Sequence, residues 1–476
     1  MNSIKSTIYI LVLFIAGVAC RPADSLQTSN VSLPERFGVS SDTLSAARLP
    51  WRDFVADTAL QKLIGIALRN NLDGMVALQR LEMARAGVRS TRGALKPVLS
   101  VGAEAAQRKW GLYTMDGAGN ASTYIREDEI VPEHLQDYFI GFRASWEVDV
   151  WGKLKSKKAA ALARYLASVE GRNFINTNIV AEVSETYYAL TALDNELDII
   201  RHSVNLQDSA FQMVQIQKEA GVANELAVRQ MEVQLLNTKS LERQVAQEIF
   251  ETEARLNLLL GRVAQPIQRD RSLYDSAIAL NIRAGIPSDL LLNRPDIRQA
   301  EYELRAARAD VSSARAAFLP ALNVSGTLGY QAYKTSLLFM NPESIAYGLV
   351  GSLFAPILNR SEIKSQFEYA KAAQLEALYN YQRSILTGYT EVSVLLAKLE
   401  AVQDQIALKE REVIAADQSV AVANELFRTG RATYIEVIIA QTSALNTKRD
   451  LVNLQKLQYT TGINLYKALG GGSVVE

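Results

Sequence analysis

Hydrophobic and polar positions change rhythm at two prolines. Ahead of Pro320, from Asn293-Arg294-Pro295-Asp296 onward, a polar, Ala-rich run reads as helix. Behind it strict alternation sets in. Leu322, Val324, Leu328 and Tyr330 point one way, and Asn323, Ser325, Thr327 and Gln331 the other. A change from a 3.6 to a 2 period with Pro at the joint predicts a helix feeding a two-faced strand. The same pattern surrounds Pro97. Asn70, Asp73, Arg85, Ala86, Val88, Ser90, Arg92, Ala94, Leu99 and Val101 recur 223 residues later as Asn293, Asp296, Arg308, Ala309, Val311, Ser313, Arg315, Ala317, Leu322 and Val324. The chain is a tandem duplication, and its fold must follow from a repeated helix–strand unit.

Residues 1–19 read as a signal peptide, with Lys5 ahead of an apolar core from Ile8 to Val18. Gly17-Val18-Ala19-Cys20 is lipobox-like, which makes Cys20 the expected lipidation site, although Gly17 stands where an aliphatic residue is usual. Residues 20–50, rich in Ser, Pro and Thr, form a lipid-anchored linker. Repeat 1 spans 51–261. A helical region from Asp57 to Leu95 leads into a strand hairpin at about 97–150, with residues 111–137 as a long loop. In its return strand Tyr138, Ile140, Phe142, Ala144, Trp146, Val148 and Val150 face one side, and Gly141, Arg143, Ser145, Glu147 and Asp149 the other. Strands of about ten residues with one apolar face and terminal aromatics are the pattern of a transmembrane β-barrel. A hairpin lying on a soluble core is the competing reading.

From Lys153 to about Ala220 no Pro interrupts a helix-favouring composition, enough for a helix of ~100 Å. A second long helix follows Gly221, so a helical hairpin spans about 153–260. Residues 262–292 are a connector. Repeat 2, 293–470, repeats the plan with a strand hairpin at about 320–357 and a helical hairpin at about 361–469, before a tail at 471–476. Ile385, Tyr389, Val392, Leu396, Leu399, Ile406 and Val413 mark its apolar seam, on the spacing of coiled packing. Here the duplication is offset by 209: Glu182-Val183-Ser184 matches Glu391-Val392-Ser393, Gly221 matches Gly430, and Leu260-Gly261 matches Leu469-Gly470. The shorter loop of the second strand hairpin accounts for the reduced offset. Asn224 and Thr433 sit at matched positions as helix N-caps, with Glu436 completing a capping box.

Composition then removes other function classes. Lys and Arg number 51, as do Asp and Glu, so no basic excess suggests nucleic acid. Cys20 alone cannot build a disulfide framework, and His134 and His202 lie far apart. Phosphate-binding, nucleophile-elbow and zinc-protease motifs are absent from the sequence, so neither an enzyme nor a cofactor is expected. The fold class expected is mainly α with a membrane β part, internally duplicated. Four strands are too few to close a barrel around a lumen. Three chains pooling them would give a 12-stranded β-barrel on an α-helical barrel, with Arg143, Glu147, Asn323 and Thr327 lining a water-filled passage.

The sequence resembles the TolC-type outer-membrane efflux factors, in their lipoprotein, NodT-like branch. The carriers are Cys20, the L-x-x-R-P-D-I-x-x-A-E run at Leu291–Glu301, the A-x-F-L-P run ending at Pro320, F-x-x-G at Phe427–Gly430, and Leu469-Gly470-Gly471-Gly472. The resemblance covers almost the whole mature chain. It implies a homotrimeric tunnel in the outer membrane with a long periplasmic extension. Such a tunnel joins a periplasmic adaptor and an inner-membrane RND-type pump, and conducts drugs, toxic compounds or metals without catalysis. It also implies that the turns at Gly221 and Gly430 form the periplasmic tip, gated near Val420, Asn424, Glu425 and Arg428. An acid is common in the family where Asn424 stands. A tunnel for type I protein secretion and a lipid-anchored structural coiled-coil protein are the alternatives.

Overall fold

In a computed structural model, the structure describes Pro34, Phe37, residues 49–269, 285–355, Leu358 and 360–472. The signal segment, Cys20 and the tail beyond 472 lie outside the described residues.

Each repeat opens on short helices. In the first these are α1 (Trp51–Phe54), α2 (Thr58–Asn70) and α3 (Leu72–Gly93). The expected single helical region is broken at Asn71, whose side chain caps α3 by accepting from the Asp73 and Gly74 amides. Strand β1 (Val98–Arg108) follows. The expected loop at 111–137 contains instead α4 (Met115–Ser122) and a small hairpin, β2 (Tyr124–Arg126) with β3 (Glu129–Ile130). Thr114 starts α4 by accepting from the Gly117 amide, a local capping signal with no apolar periodicity behind it. Strand β4 (Leu135–Val148) begins three residues earlier than Tyr138. Helices α5 (Lys153–Glu219) and α6 (Glu225–Leu259) form the first long hairpin.

The second repeat has α7 (Leu290–Asn293), α8 (Pro295–Ala316), β5 (Ala321–Ala332), β6 (Ile345–Phe354), α9 (Arg360–Arg428) and α10 (Tyr434–Ala468). The duplication is structural to the residue. Shifting α3 by 223 gives the bounds of α8, and shifting α6 by 209 gives those of α10. Strands β1, β4, β5 and β6 form one antiparallel sheet in that order, leaving β1 and β6 as edges.

The core lies where the short helices meet the midpart of the long ones. Leu60, Ile64, Val183, Tyr187, Leu190, Leu256 and Leu260 pack together out of contact with solvent, each worth about 1.5–3 kcal/mol in transfer terms if apolar. Asp57 ties this core to its own helix start: one carboxylate oxygen accepts from the Ala59 amide at 2.7 Å, the other from the Tyr187 hydroxyl. Along α9 the buried residues are Ala370, Leu378, Ile385, Gly388, Val392, Leu399, Val402 and Phe427. Leu378, Ile385, Val392 and Leu399 stand seven apart, whereas Tyr389, Leu396, Ile406 and Val413 of the expected seam are not buried, so the seam is narrower than its apolar pattern.

Candidate functional site

Two regions could act on something outside the chain: the sheet and the helical tips. The four long strands carry five charged residues, Glu104, Arg108, Asp137, Arg143 and Glu147. The register places all five on one face. Arg143 lies opposite Thr327, and Glu147 opposite Asn323, so the four residues expected to share a polar face do share one. The other face carries no charge. Val101, Phe142, Leu328 and Tyr347 form one apolar row across all four strands, and all four are exposed.

The polar face is closely organised. Arg143 pairs with Glu104 on the next strand and stacks over the Phe139 ring at 5.1 Å. Asp137 accepts from Gln331 at 2.8 Å, and Glu147 pairs with Lys153 at the start of α5. Gly102, Gly141 and Gly329 lie in one row. A Cβ on Gly141 would sit 2.5 Å from the Gly329 Cα and 3.0 Å from the Phe139 Cζ. Glycine is therefore required where the strands close in and the ring lies across them. At the helix end of the sheet, the Trp146 indole donates to the Leu95 carbonyl at 3.1 Å, and Trp151 to the Pro320 carbonyl at 2.7 Å. These contacts fix strands to both proline joints.

The tips repeat one construction. Gly221 and Gly430 have φ of 71° and 70°. Val222 donates to the Gln217 carbonyl and Gly221 to Lys218, while Arg431 donates to Leu426 and Gly430 to Phe427. Both are Schellman turns. Asn224 caps α6 by accepting from Ala227, and Thr433 with Glu436 forms the capping box of α10. Lys218 reaches across the first turn to Glu225 and holds that carboxyl below the usual carboxylate range. Val214, Val228, Met231, Phe427 and Val437 join the two tips in one apolar cluster.

The four expected gate residues are not brought together as one lock. Val420 is half-buried beside a groove of about 470 Å³ that His202, Gln441 and Lys448 also line. Asn424 is half-buried, whereas Glu425 and Arg428 are 67% exposed and face each other at 3.7 Å on one helix.

Sequence reasoning missed a buried hub. Arg294, only 7% exposed, forks onto Asp296 at 3.0 and 2.7 Å, and its third nitrogen reaches both Glu391 and the Ala468 carbonyl at 2.8 Å. Burial opposes its charge, but the two carboxylates outweigh that and raise its pKa. Gly388 makes room, since a Cβ there would lie 3.2 Å from Arg294 Nε. The signal was the R-P-D run itself. Its equivalent in repeat 1 is Asn71, whose amide donates to the Leu259 carbonyl at 2.9 Å, the position matching Ala468. Arg269 makes a second buried bridge, to Asp194 and Glu253.

Among the described residues no group of three or more His, Cys, Asp or Glu is placed to hold a metal ion. No described helix is long and apolar enough to cross a membrane.

The outer membrane efflux protein family model matches residues 63–262 and 286–471, one segment for each repeat. The cation efflux system protein CusC of Escherichia coli O6:H1 is 28% identical over 99% of this chain and 99% of its own length. The probable outer membrane lipoprotein SilC of Salmonella typhimurium is 28% identical, covering 98% of each chain. The solvent efflux pump outer membrane protein SrpC of Pseudomonas putida is 28% identical over 92% of this chain and 91% of its own. A crystal structure of CusC, solved to follow folding and transmembrane channel formation, matches with a TM-score of 0.83 at 26% identity. It covers 95% of this chain and 100% of that one.

Proposed function

The chain belongs to the outer membrane efflux protein family, and from that premise we propose that three copies form the outer-membrane tunnel of a tripartite efflux pump. The single observation that carries this reading is the sheet. It has one charge-free face, all its charges on the other, and two unpaired edges. Three such sheets joined edge to edge make a closed 12-stranded barrel whose apolar face meets lipid and whose polar face, with Arg143, Glu147, Asn323 and Thr327, meets water. The long helical hairpins continue the passage below as an α-helical barrel. Their tips at Gly221 and Gly430 meet a periplasmic adaptor, which couples the tunnel to an inner-membrane RND-type pump. Conduction is passive, and the pump supplies the work. SilC is named as a lipoprotein, and Cys20 is the residue that would carry the lipid here. The relatives' names include both cation and solvent efflux, so the cargo is a small molecule or a metal ion.

Purified protein in planar bilayers should give discrete, water-filled conductances. Leu328→Arg should abolish membrane assembly, because a charge on a lipid face costs ~2–4 kcal/mol near mid-bilayer, while Thr327→Arg should assemble and alter conductance. Equal effects of the two would count against the assigned faces. Deleting the gene and testing sensitivity to drugs, dyes and metals would identify the cargo class.

A further inference from the structure

Among the described residues, the duplication makes a contact inside the chain that has no counterpart on the chain's other flank. Helix α8 lies between α5 of the first repeat and α9 of the second. It buries Pro295, Ile297, Leu304, Ala306, Val311, Ser313 and Ala316. Its equivalent α3 packs on one long helix, α5, and buries Ala77 alone. Met83 of α3 is 67% exposed where Ala306 is 1% exposed, and Met75 and Val76 are exposed beside it. The same asymmetry marks α9 against α5. Tyr369 is 78% exposed where Ala160 is 1%, and Tyr379 is 62% exposed where Glu170 is 4%. In the sheet, β4 and β5 join the repeats, while β1 and β6 keep open edges.

We infer that the open face of α3 docks on α9 of a neighbouring copy of this chain as α8 docks on α5 within it, and that β6 pairs with the neighbour's β1 in the register the duplication dictates. The inference rests on the trimeric reading above and adds to it which side chains meet. Within the chain Arg298 on α8 pairs with Glu170 on α5 at 2.8 Å. Carrying Arg298 back by 223 and Glu170 forward by 209 gives Met75 and Tyr379. Both members of an ion pair are replaced together, by a thioether and an aromatic ring, which attract each other. Replacing only one member would have left a buried charge unpaired.

The sheet gives the register independently. Ala144 pairs with Gly326 inside the chain. Moving the first forward by 209 and the second back by 223 sets Leu353 opposite the neighbour's Ala103. Likewise Arg143 with Thr327 becomes Ser352 with Glu104. The apolar row then runs unbroken across the boundary, and so does the polar one. A slip of one residue would set Leu353, whose face its pairing with Leu322 fixes, opposite Gly102 or Glu104 of the polar face.

Disulfide trapping in the full-length protein tests this, with wild type as the blank, since Cys20 is its one cysteine. M75C+Y379C and, separately, A103C+L353C should give reduction-sensitive, covalently linked trimers on mild oxidation. A105C+L353C, two residues out of register, should give far less. If either double variant fails to fold, the two single variants are coexpressed and mixed trimers are oxidised. Trimers by native mass spectrometry in which neither predicted pair crosslinks, or in which the shifted pair crosslinks best, would overturn the inference. Monomers throughout for the wild type would instead remove the trimeric reading itself.

Discussion

Removing the Arg294 guanidinium would leave Asp296, Glu391 and the Ala468 carbonyl without their donor. A buried ion pair contributes little by existing, because desolvation offsets most of its attraction, but stranding its partners is costly. Arg294→Ala should therefore destabilise the chain by about 2–4 kcal/mol. Arg294→Lys should recover only part of that, since an ammonium cannot reproduce the fork. Arg428→Ala, whose pairing with Glu425 is solvated, should shift stability by less than about 1 kcal/mol. Thermal unfolding followed by circular dichroism in detergent would rank the three. Equal losses would mean that Arg294 is not a structural hub.

Elements were more legible than their junctions. The helix–strand joints at Pro97 and Pro320, the strand faces and the turns at Gly221 and Gly430 are all local patterns, so periodicity and a conformational need for glycine disclosed them. Helix α4 was not legible, because eight residues with two glycines, two alanines and one cap leave no periodic trace. The hub of Arg294 was not, because Glu391 and the Ala468 carbonyl stand 97 and 174 residues away. The glycines also divide in a way sequence cannot express. Gly261 and Gly470 end α6 and α10 with positive φ, and a Cβ there would lie 2.3 Å from the Asn70 carbonyl oxygen and 2.4 Å from that of Asn293. At Gly221 and Gly430 the same Cβ meets open space. Gly221→Ala and Gly430→Ala should each cost about 1–2 kcal/mol of left-handed strain. Gly261→Ala and Gly470→Ala should cost clearly more, because the helix end must also retreat from its neighbour. Chemical denaturation of the four variants would check the order, and a reversed order would contradict the packing described.

For the whole molecule, the proposed anchor and gate make separate predictions. If the barrel holds the protein in the membrane, Cys20→Ser should leave trimers in the outer-membrane fraction, because one acylation site adds affinity without replacing a membrane span. A soluble Cys20→Ser protein would contradict the barrel. At the tip, Glu425 pairs with Arg428 on its own helix, so a lock that holds the proposed tunnel shut would need contacts between neighbouring copies. Replacing both with Ala should raise single-channel conductance without altering assembly. An unchanged conductance would remove these two residues from the gate.

The two unpaired strand edges have a genetic consequence. In the proposed trimer, a sheet that cannot close on itself makes every copy answerable for its neighbours, so a copy that assembles but cannot conduct would spoil the channel it enters. If such copies were made in equal number with wild type and mixed at random, roughly one trimer in eight would be free of them. Tolerance of the exported compound in a cell carrying both alleles would then fall far below half of normal. A copy unable to join at all, such as one carrying Leu328→Arg, would leave tolerance intact. Recessive and dominant alleles of this gene should thus sort by whether the substituted copy can still enter a trimer.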